Sequence, residues 1–229
     1  MLKNIIKNII NNKIHIGHLK KYRNSYMKDY IINVKNNIDI INPFKFLYRL
    51  KIASKNLTIC SKIGGGVLYF GNKVFIKDLV KKYAMKNNMP FINSKWSPGL
   101  LTNMYTTKMT LMKKNIIKNK KRSKIYDFLP IKEQNKLNRK YIKIKKRLDN
   151  VKNMKCLPMY LIITNINGNE NIIKEANKMK ILIIGIVDTN TNPNNIDFPI
   201  PANDDLRKSV NYILSYLTNA ITIGKNYNI

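Results

Sequence analysis

The sequence predicts an α/β fold: a parallel sheet sandwiched by helices, from which an antiparallel helical hairpin of coiled-coil type protrudes. Three observations predict it. Short apolar runs bounded by turn residues alternate with longer amphipathic stretches, the order that builds a parallel sheet covered on both faces. Between residues 103 and 152 that alternation stops, and Leu137, Tyr141, Ile144, Leu148 and Val151 recur at steps of 4, 3, 4 and 3, a heptad seam. Apolar residues make up 44% of the 229, enough for one well-buried domain with an appendage. The expected organisation is a sheet domain from residues 1–102 and 153–229, with a hairpin of residues 103–152 inserted into it.

The elements follow in order. "MLKNIIKNIINN" places Ile5, Ile6, Ile9 and Ile10 at amphipathic-helix spacing. A basic loop holding both histidines of the chain comes next. "YIINV" and "IDII" then flank the turn "KNN" as a hairpin-like pair of short strands. Pro43 opens a helix, and "FKFLYRLKIASKNLTICSKI" keeps helical periodicity until Gly64 stops it. "VLYFG" reads as a buried strand, "KVFIKDLVKKYAMKNN" as an amphipathic helix, "FINS" as a short strand and "KWSPGLLTN" as a turn-rich segment. The heptad helix pairs with a second one, whose weaker stripe is Tyr105, Met109, Met112 and Ile116, through a turn near "KNKKRSKIYDFLP". After the hairpin, "MYLIIT" is a strand, "NENIIKEANKMK" a helix and "ILIIGIVD" a buried strand. "NDDLRKSVNYILSYLTNAI" is the last helix, with Asn203 as its N-cap and Asp204 and Asp205 in a first turn whose dipole favours acids.

Charge sets the partner class. The formal net charge is +31, an excess that needs a polyanion, of which nucleic acid is the usual one. Residues 1–102 carry 19 Lys and Arg against 3 acidic residues, residues 103–155 carry 18 against 3, and residues 156–229 carry 6 against 6. Two-thirds of the chain therefore faces a polyanion, and the hairpin most of all. Asn, Ile, Lys and Tyr are abundant while Ala occurs only at positions 53, 84, 176, 202 and 220, which is the drift of an A/T-rich genome. Cys60 and Cys156 stand apart, without metal or disulfide spacing. No apolar run reaches the roughly 18 residues of a membrane span.

"HIGH", residues 15–18, spells the nucleotide-binding tetrapeptide of class I aminoacyl-tRNA synthetases. A synthetase needs that tetrapeptide directly after a nucleotide-binding strand and needs a later Lys-rich loop; a polar "NNK" precedes it here and no such loop follows. The synthetase reading is kept as the disfavoured alternative. Two histidines three apart could ligate a metal, but no Cys, Asp or Glu accompanies them locally, so packing within a loop near phosphate is preferred. Gly64–Gly66 end a helix and enter a strand, the reverse of a phosphate loop. Asp188, at the carboxyl end of a strand, could bind a cation with Asp204 or Asp205, but capping the loop "TNTNPNN" is the preferred role.

"HIGHLKKYRNSYMKDYI", "IDIIN", "FINSKWSPGLLTN", "IIKEANKMKILIIGIVDTNTNP" and "IDFPIPANDD" resemble, in register, ordered blocks of the second small-subunit ribosomal protein family, bacterial type. The resemblance runs from about residue 5 to residue 222. It implies a flavodoxin-like sheet with a helical hairpin, and a non-enzymatic protein that binds ribosomal RNA between head and body on the solvent side of the small subunit. It also implies neighbouring small-subunit ribosomal proteins as partners, with no cofactor, metal, membrane or small-molecule substrate. The motif positions it marks are His15, Gly17, His18, Trp96, Gly99, Asn103, Asp188, Asn190, Asp204 and Asp205. Ser25 stands where the family usually has Pro, Ser97-Pro98 where it has Leu-Gly, and Ala202 where it has Gly.

The expected RNA-binding set is Lys20, Lys21, Arg23, Lys28, Lys95, Lys113, Lys114, Lys118, Lys120, Lys121, Arg122, Arg139, Lys143 and Arg147. Arg23, Arg122, Arg139 and Arg147 are singled out because drift toward Lys codons has left six arginines, and a guanidinium fork suits phosphate. Trp96, the only tryptophan, reads as a core or hairpin-base anchor rather than a stacking platform. Because the resemblance begins in the first helix, no room is expected for a targeting extension. The compartment favoured is therefore an organellar ribosome, in a reduced plastid, with a mitochondrion or an A/T-rich bacterial cytoplasm as the alternatives.

Overall fold

A computed structural model describes residues 2–123, 126–152, 154 and 156–227, with side chains from Ile5 onward. Lys124 and Ile125 of the expected hairpin turn, and Asn153 at the expected domain boundary, lie outside the described residues. Helix α1 (Leu2–Asn11) turns Ile5 and Ile9 to the core and leaves Ile10 exposed. A small antiparallel sheet follows, in the order β1 (Ile16–Leu19), β3 (Ile38–Ile41), β2 (Ile31–Lys35). Asn36 and Asn37, with φ of 50° and 59°, make the β2–β3 turn, the left-handed pair that a two-residue hairpin needs. Of the basic loop that the sequence suggests, Ile16–Leu19 is thus a strand, while residues 13–15 form the turn before it. His18 sits on β1, a strand too short for its alternation to be read.

Helix α2 (Pro43–Lys62) starts as its sequence dictates. Asn42 Oδ1 accepts from the Phe44 and Lys45 amides at 2.9 and 3.3 Å, and Pro43 fills the first helical position. It ends at a left-handed Gly64. The main sheet comprises β4 (Val67–Phe70), β5 (Phe91–Ile92), β6 (Tyr160–Ile163), β7 (Leu182–Val187) and β8 (Phe198–Pro201). All are parallel, in the order β5-β4-β6-β7-β8. This is the flavodoxin-like arrangement, in which the second strand lies outside the first and the rest add on the other side. Strand β8 was not legible in the sequence. Its two prolines argue against a strand and are tolerated because β8 is an edge.

Helices α3 (Lys77–Lys86) and α7 (Arg207–Asn226) join α1 and α2 on one face, over Val67, Tyr69, Ile162, Ile184 and Ile200. Helix α6 (Glu170–Lys178) covers the other face, over Leu68, Phe70, Leu161, Ile163 and Ile183. Successive strand residues supply opposite faces, so each strand is a continuous apolar run. Helix α7 begins later than expected. Asn203 caps the turn before it, accepting from the Asp205 and Leu206 amides at 2.9 Å each, and Asp204 and Asp205 precede the helix rather than occupy its first turn. Among the described residues no helix is long and apolar enough to cross a membrane.

Helices α4 (Met104–Lys120) and α5 (Ile131–Leu148) pack against each other, and their base joins the core on the α6 face through Met104, Leu111, Ile144, Leu148 and Val151. The α5 seam lies where its heptads put it. The α4 stripe does not: Tyr105, Met109, Met112 and Ile116 are exposed, and Lys114 and Ile117 are buried instead. The misleading residue is Lys114, a charge on the packed face. Its ammonium donates to the Asp149 carboxylate, which this bond holds below the usual acid range. Replacing Lys114 by Ala should cost about 1–3 kcal/mol in urea unfolding, because Asp149 loses its counter-charge. The apolar pair Lys114→Met with Asp149→Leu should recover most of that loss. A double variant no more stable than the single one would show that the ion pair itself holds the helices together.

Candidate nucleic-acid interface

The segment from residue 13 to residue 30 carries both histidines and four of the expected RNA contacts, and its placement depends on the carboxyl end of β7. There Thr189 accepts the His18 amide on Oγ1 at 2.9 Å and the Asn24 amide on its carbonyl at 2.8 Å. Gly17 lies so close that an added Cβ would come 2.5 Å from Thr189 Cγ2, so β1 can reach this point only with glycine there. Asn203 completes the seam, donating to the Ile16 carbonyl from its side chain and to the Ile14 carbonyl from its backbone. The "HIGH" stretch is therefore pinned edge-on to the main sheet. It does not follow a strand of that sheet, as a nucleotide-binding tetrapeptide would.

The family-motif acids gather at the same place. Asp188 is fully buried, and its carboxylate accepts from the Thr189 amide at 2.6 Å and the Asp204 amide at 3.3 Å, the loop-orienting role expected of it. His18 Nε2 lies 3.6 Å from Asp188 and 3.4 Å from Asp205, and Lys73 Nζ lies 2.9 Å from Asp204 and 2.7 Å from Asp205. His18, Asp188 and Asp204 could present ligand atoms to one cation, all within 4.8 Å of one another. No local spacing could have revealed that group, because it joins residues 18, 188 and 204. The Lys73 ammonium already supplies positive charge beside it. Burial pulls the Lys73 pKa down, yet Asp205 and Asp204 outweigh burial and hold it above its usual value. The Asp204 carboxyl is raised by burial against the pull of Lys73.

Trp96, Gly99 and Asn103 set the base of the hairpin. Trp96 is 8% exposed, meets Phe70 edge-on with centroids 5.6 Å apart, and donates from Nε1 to Glu175 at 3.2 Å. It is a core anchor. The Glu175 carboxylate also accepts from the Gly99 and Leu101 amides, at 2.9 and 3.3 Å. Gly99 takes φ of 82°, and Asn103 caps α4 by accepting from the Thr106 amide at 3.1 Å. Glu175 was missed in the sequence because nothing local distinguishes it from any exposed helix acid. Asn190 accepts from the Thr191 hydroxyl at 3.2 Å, and His15 contributes its carbonyl, which accepts from the Ile41 amide at 2.8 Å.

The basic residues divide by exposure. Lys20, Lys21, Lys28, Lys95, Lys113, Lys118, Lys120, Arg122, Arg139, Lys143 and Arg147 are exposed and free to meet phosphate. Lys121 is half-buried and lies 5.3 Å from the Tyr141 ring centroid. Two expected contacts are committed elsewhere. Arg23 directs its fork at the buried Asp39, with Nε 2.8 Å from Oδ2, and Lys114 is buried against Asp149. Arg23 thus serves an internal carboxylate, which needs a bidentate partner when desolvated. The eleven exposed cations lie on residues 20–28, at Lys95 beside Trp96, and on the hairpin.

A pH dependence follows from Asp188. Burial pushes its carboxyl up to about 6, against the opposing effects of His18 and the Thr189 amide. An unfolded aspartate titrates near 3.9, so the folded state binds the extra proton between those values. The stability that this proton contributes is complete below about pH 4 and is lost as pH rises through about 6. Asp188→Asn should therefore show a flatter stability profile across that window than the wild type in urea unfolding. Identical profiles would show that Asp188 is charged in the folded state throughout.

A family model described as ribosomal protein S2 matches residues 9–224. Proteins named small ribosomal subunit protein uS2 are similar along nearly the whole chain. The one from Karelsulcia muelleri is 39% identical over 207 residues, covering 90% of this chain and 93% of the relative. The one from Flavobacterium johnsoniae is 33% identical over 219 residues, covering 96% and 86%. The one from Wigglesworthia glossinidia brevipalpis is 33% identical over 228 residues, covering 100% and 95%.

Proposed function

The chain belongs to the ribosomal protein S2 family, whose members are structural rather than enzymatic, and on that premise we propose that it is a constituent of the small ribosomal subunit in translation. Its finer role in this reading is to hold ribosomal RNA between head and body on the solvent side, beside neighbouring small-subunit proteins. The observation that carries the RNA-binding part is the placement of eleven exposed cations on residues 20–28, Lys95 and the hairpin, whereas the last third of the chain carries as many acidic as basic residues. Lysines and arginines so placed neutralise phosphates and release counterions, which gives affinity with a steep salt dependence. A-form helices are then recognised by backbone and shape. The inserted hairpin, residues 103–152, is in this reading a separate RNA-binding arm of the sheet domain.

The Lys, Asn and Ile drift supports an A/T-rich genome as the source. The relatives are bacterial, which supports the alternative of an A/T-rich bacterial cytoplasm beside that of a reduced plastid. Bacterial chromosomal genes flanking the coding sequence are the expected finding, and a plastid gene order would reverse it.

Two measurements test the functional reading. Sedimented cell lysate should carry the chain with small subunits, and the purified protein should catalyse no amino-acid-dependent pyrophosphate exchange into ATP. Measurable exchange, abolished by His18→Ala, would restore the synthetase reading. Deleting the hairpin would remove Leu148 from the core, so its contribution is better measured by charge. Changing Lys118, Lys120, Arg122, Arg139, Lys143 and Arg147 to Gln should make the log–log salt slope of RNA binding shallower by as much as about 4–5, since each lost phosphate contact removes roughly 0.7–0.9. An unchanged slope would mean that the hairpin meets protein or solvent.

A further inference from the structure

One cleft in the structure adjoins the basic residues 20–28 and is lined by none of the hairpin. It has a volume of about 630 Å³ and lies between the turn at residues 25–30, the first turns of α2 and the loop at residues 193–199. Its lining combines three tyrosines, Tyr26, Tyr30 and Tyr48, with three cations, Lys28, Lys45 and Arg49. Tyr26 is 57% exposed and Tyr48 65% exposed, so neither ring serves the core. Tyr30 is the inner ring: Lys45 Nζ lies 6.0 Å and the Arg49 guanidinium 5.9 Å from its centroid. The Lys45 ammonium also donates to the Asp29 carbonyl, which fixes it at the rim. The Asp29 side chain is the one carboxylate among the lining residues, so the cleft is net positive.

We propose that this cleft holds a short unpaired stretch of RNA, with bases stacked on Tyr26 and Tyr48 and phosphates at Lys28, Lys45 and Arg49. The chemistry favours single-stranded RNA over a duplex. Exposed aromatic rings beside cations accept bases that are free to splay out, whereas the bases of an A-form helix are already stacked on one another. It favours RNA over an acidic protein segment because such a segment needs the cations but leaves two exposed rings without a use. The cleft also continues the basic run of Lys20, Lys21 and Lys28, so one strand could pass from it along residues 20–28. The proposal rests on the RNA-binding reading above and names a second kind of RNA contact, distinct from the hairpin's.

The test uses the full chain with two fluorescent probes, an oligouridine of about eight nucleotides and an RNA duplex of about sixteen base pairs. Tyr26→Ala and Tyr48→Ala should each weaken oligouridine binding about tenfold, the usual contribution of one stacked base. The salt slope of that binding should not change, because no phosphate contact is lost. Duplex affinity should also stay the same. Tyr26→Phe and Tyr48→Phe should keep wild-type affinity, since the ring does the stacking, and this separates stacking from any fault in folding. Oligouridine binding indifferent to the alanine variants would overturn the proposal, as would an equal loss on both probes. Wild-type protein that binds the duplex but shows tyrosine-insensitive oligouridine binding would sink this proposal alone. Protein that binds neither probe would remove the RNA-binding reading with it.

Discussion

Two residues at the carboxyl end of β7, Asp188 and Thr189, couple the halves of this molecule. Thr189 takes the backbone of β1 and of Asn24, while Asp188 takes the amide of Asp204 and turns the chain toward α7. The small antiparallel sheet has no other sheet to complete it, and three short strands are marginal by themselves. Its attachment is therefore a backbone seam as much as a hydrophobic one. A desolvated carboxylate is an expensive centre for such a seam, and the Thr189 and Asp204 amides and His18 are what make it tolerable. The same seam decides where the positive residues 20–28 stand relative to the rest of the chain.

Charge is divided along the chain, and the core is shared by both parts. The neutral last third supplies β7, β8 and α7, whose side chains make up much of one apolar layer. The six arginines divide likewise. Arg23 serves Asp39, Arg49 lies by Tyr30 and Arg207 donates to the Phe75 carbonyl at 2.6 Å, whereas Arg122, Arg139 and Arg147 are exposed on the hairpin. Arg23 is thus held inside the protein, Arg49 stands half-buried in the cleft beside Tyr30, and the other four guanidinium groups are exposed.

How much of this was legible depended on how far each residue's partner lies in sequence. The buried strands β4, β6 and β7, the start of α2 and the α5 seam were readable because their causes are local: apolar runs, Asn42–Pro43, and a heptad. What failed was of two kinds. Local rules misled where tertiary structure overrode them, as at Lys114, buried by its ion pair, and at Pro199 and Pro201, tolerated on an edge strand. Other features were invisible because their partners are remote. Glu175 meets Trp96 and Gly99 across more than seventy residues, and His18 meets Asp188 across one hundred and seventy. The resemblance of motif blocks marked His18 and Asp188 but not Glu175, and physics explains all three only once the fold has brought their partners together.

The two edges of the main sheet have a consequence for the protein before it finds its RNA. An open parallel sheet this rich in isoleucine is a template on which another chain could pair, and newly made copies in a crowded cell are exposed to that hazard. One edge, β5, offers two residues, and the other, β8, carries prolines at alternate positions, each lacking the amide that a further strand would need. The positive charge that awaits a polyanion keeps copies apart at long range, and these blunted edges refuse them at contact. Solubility while unassembled is in this way built into the ends of the sheet.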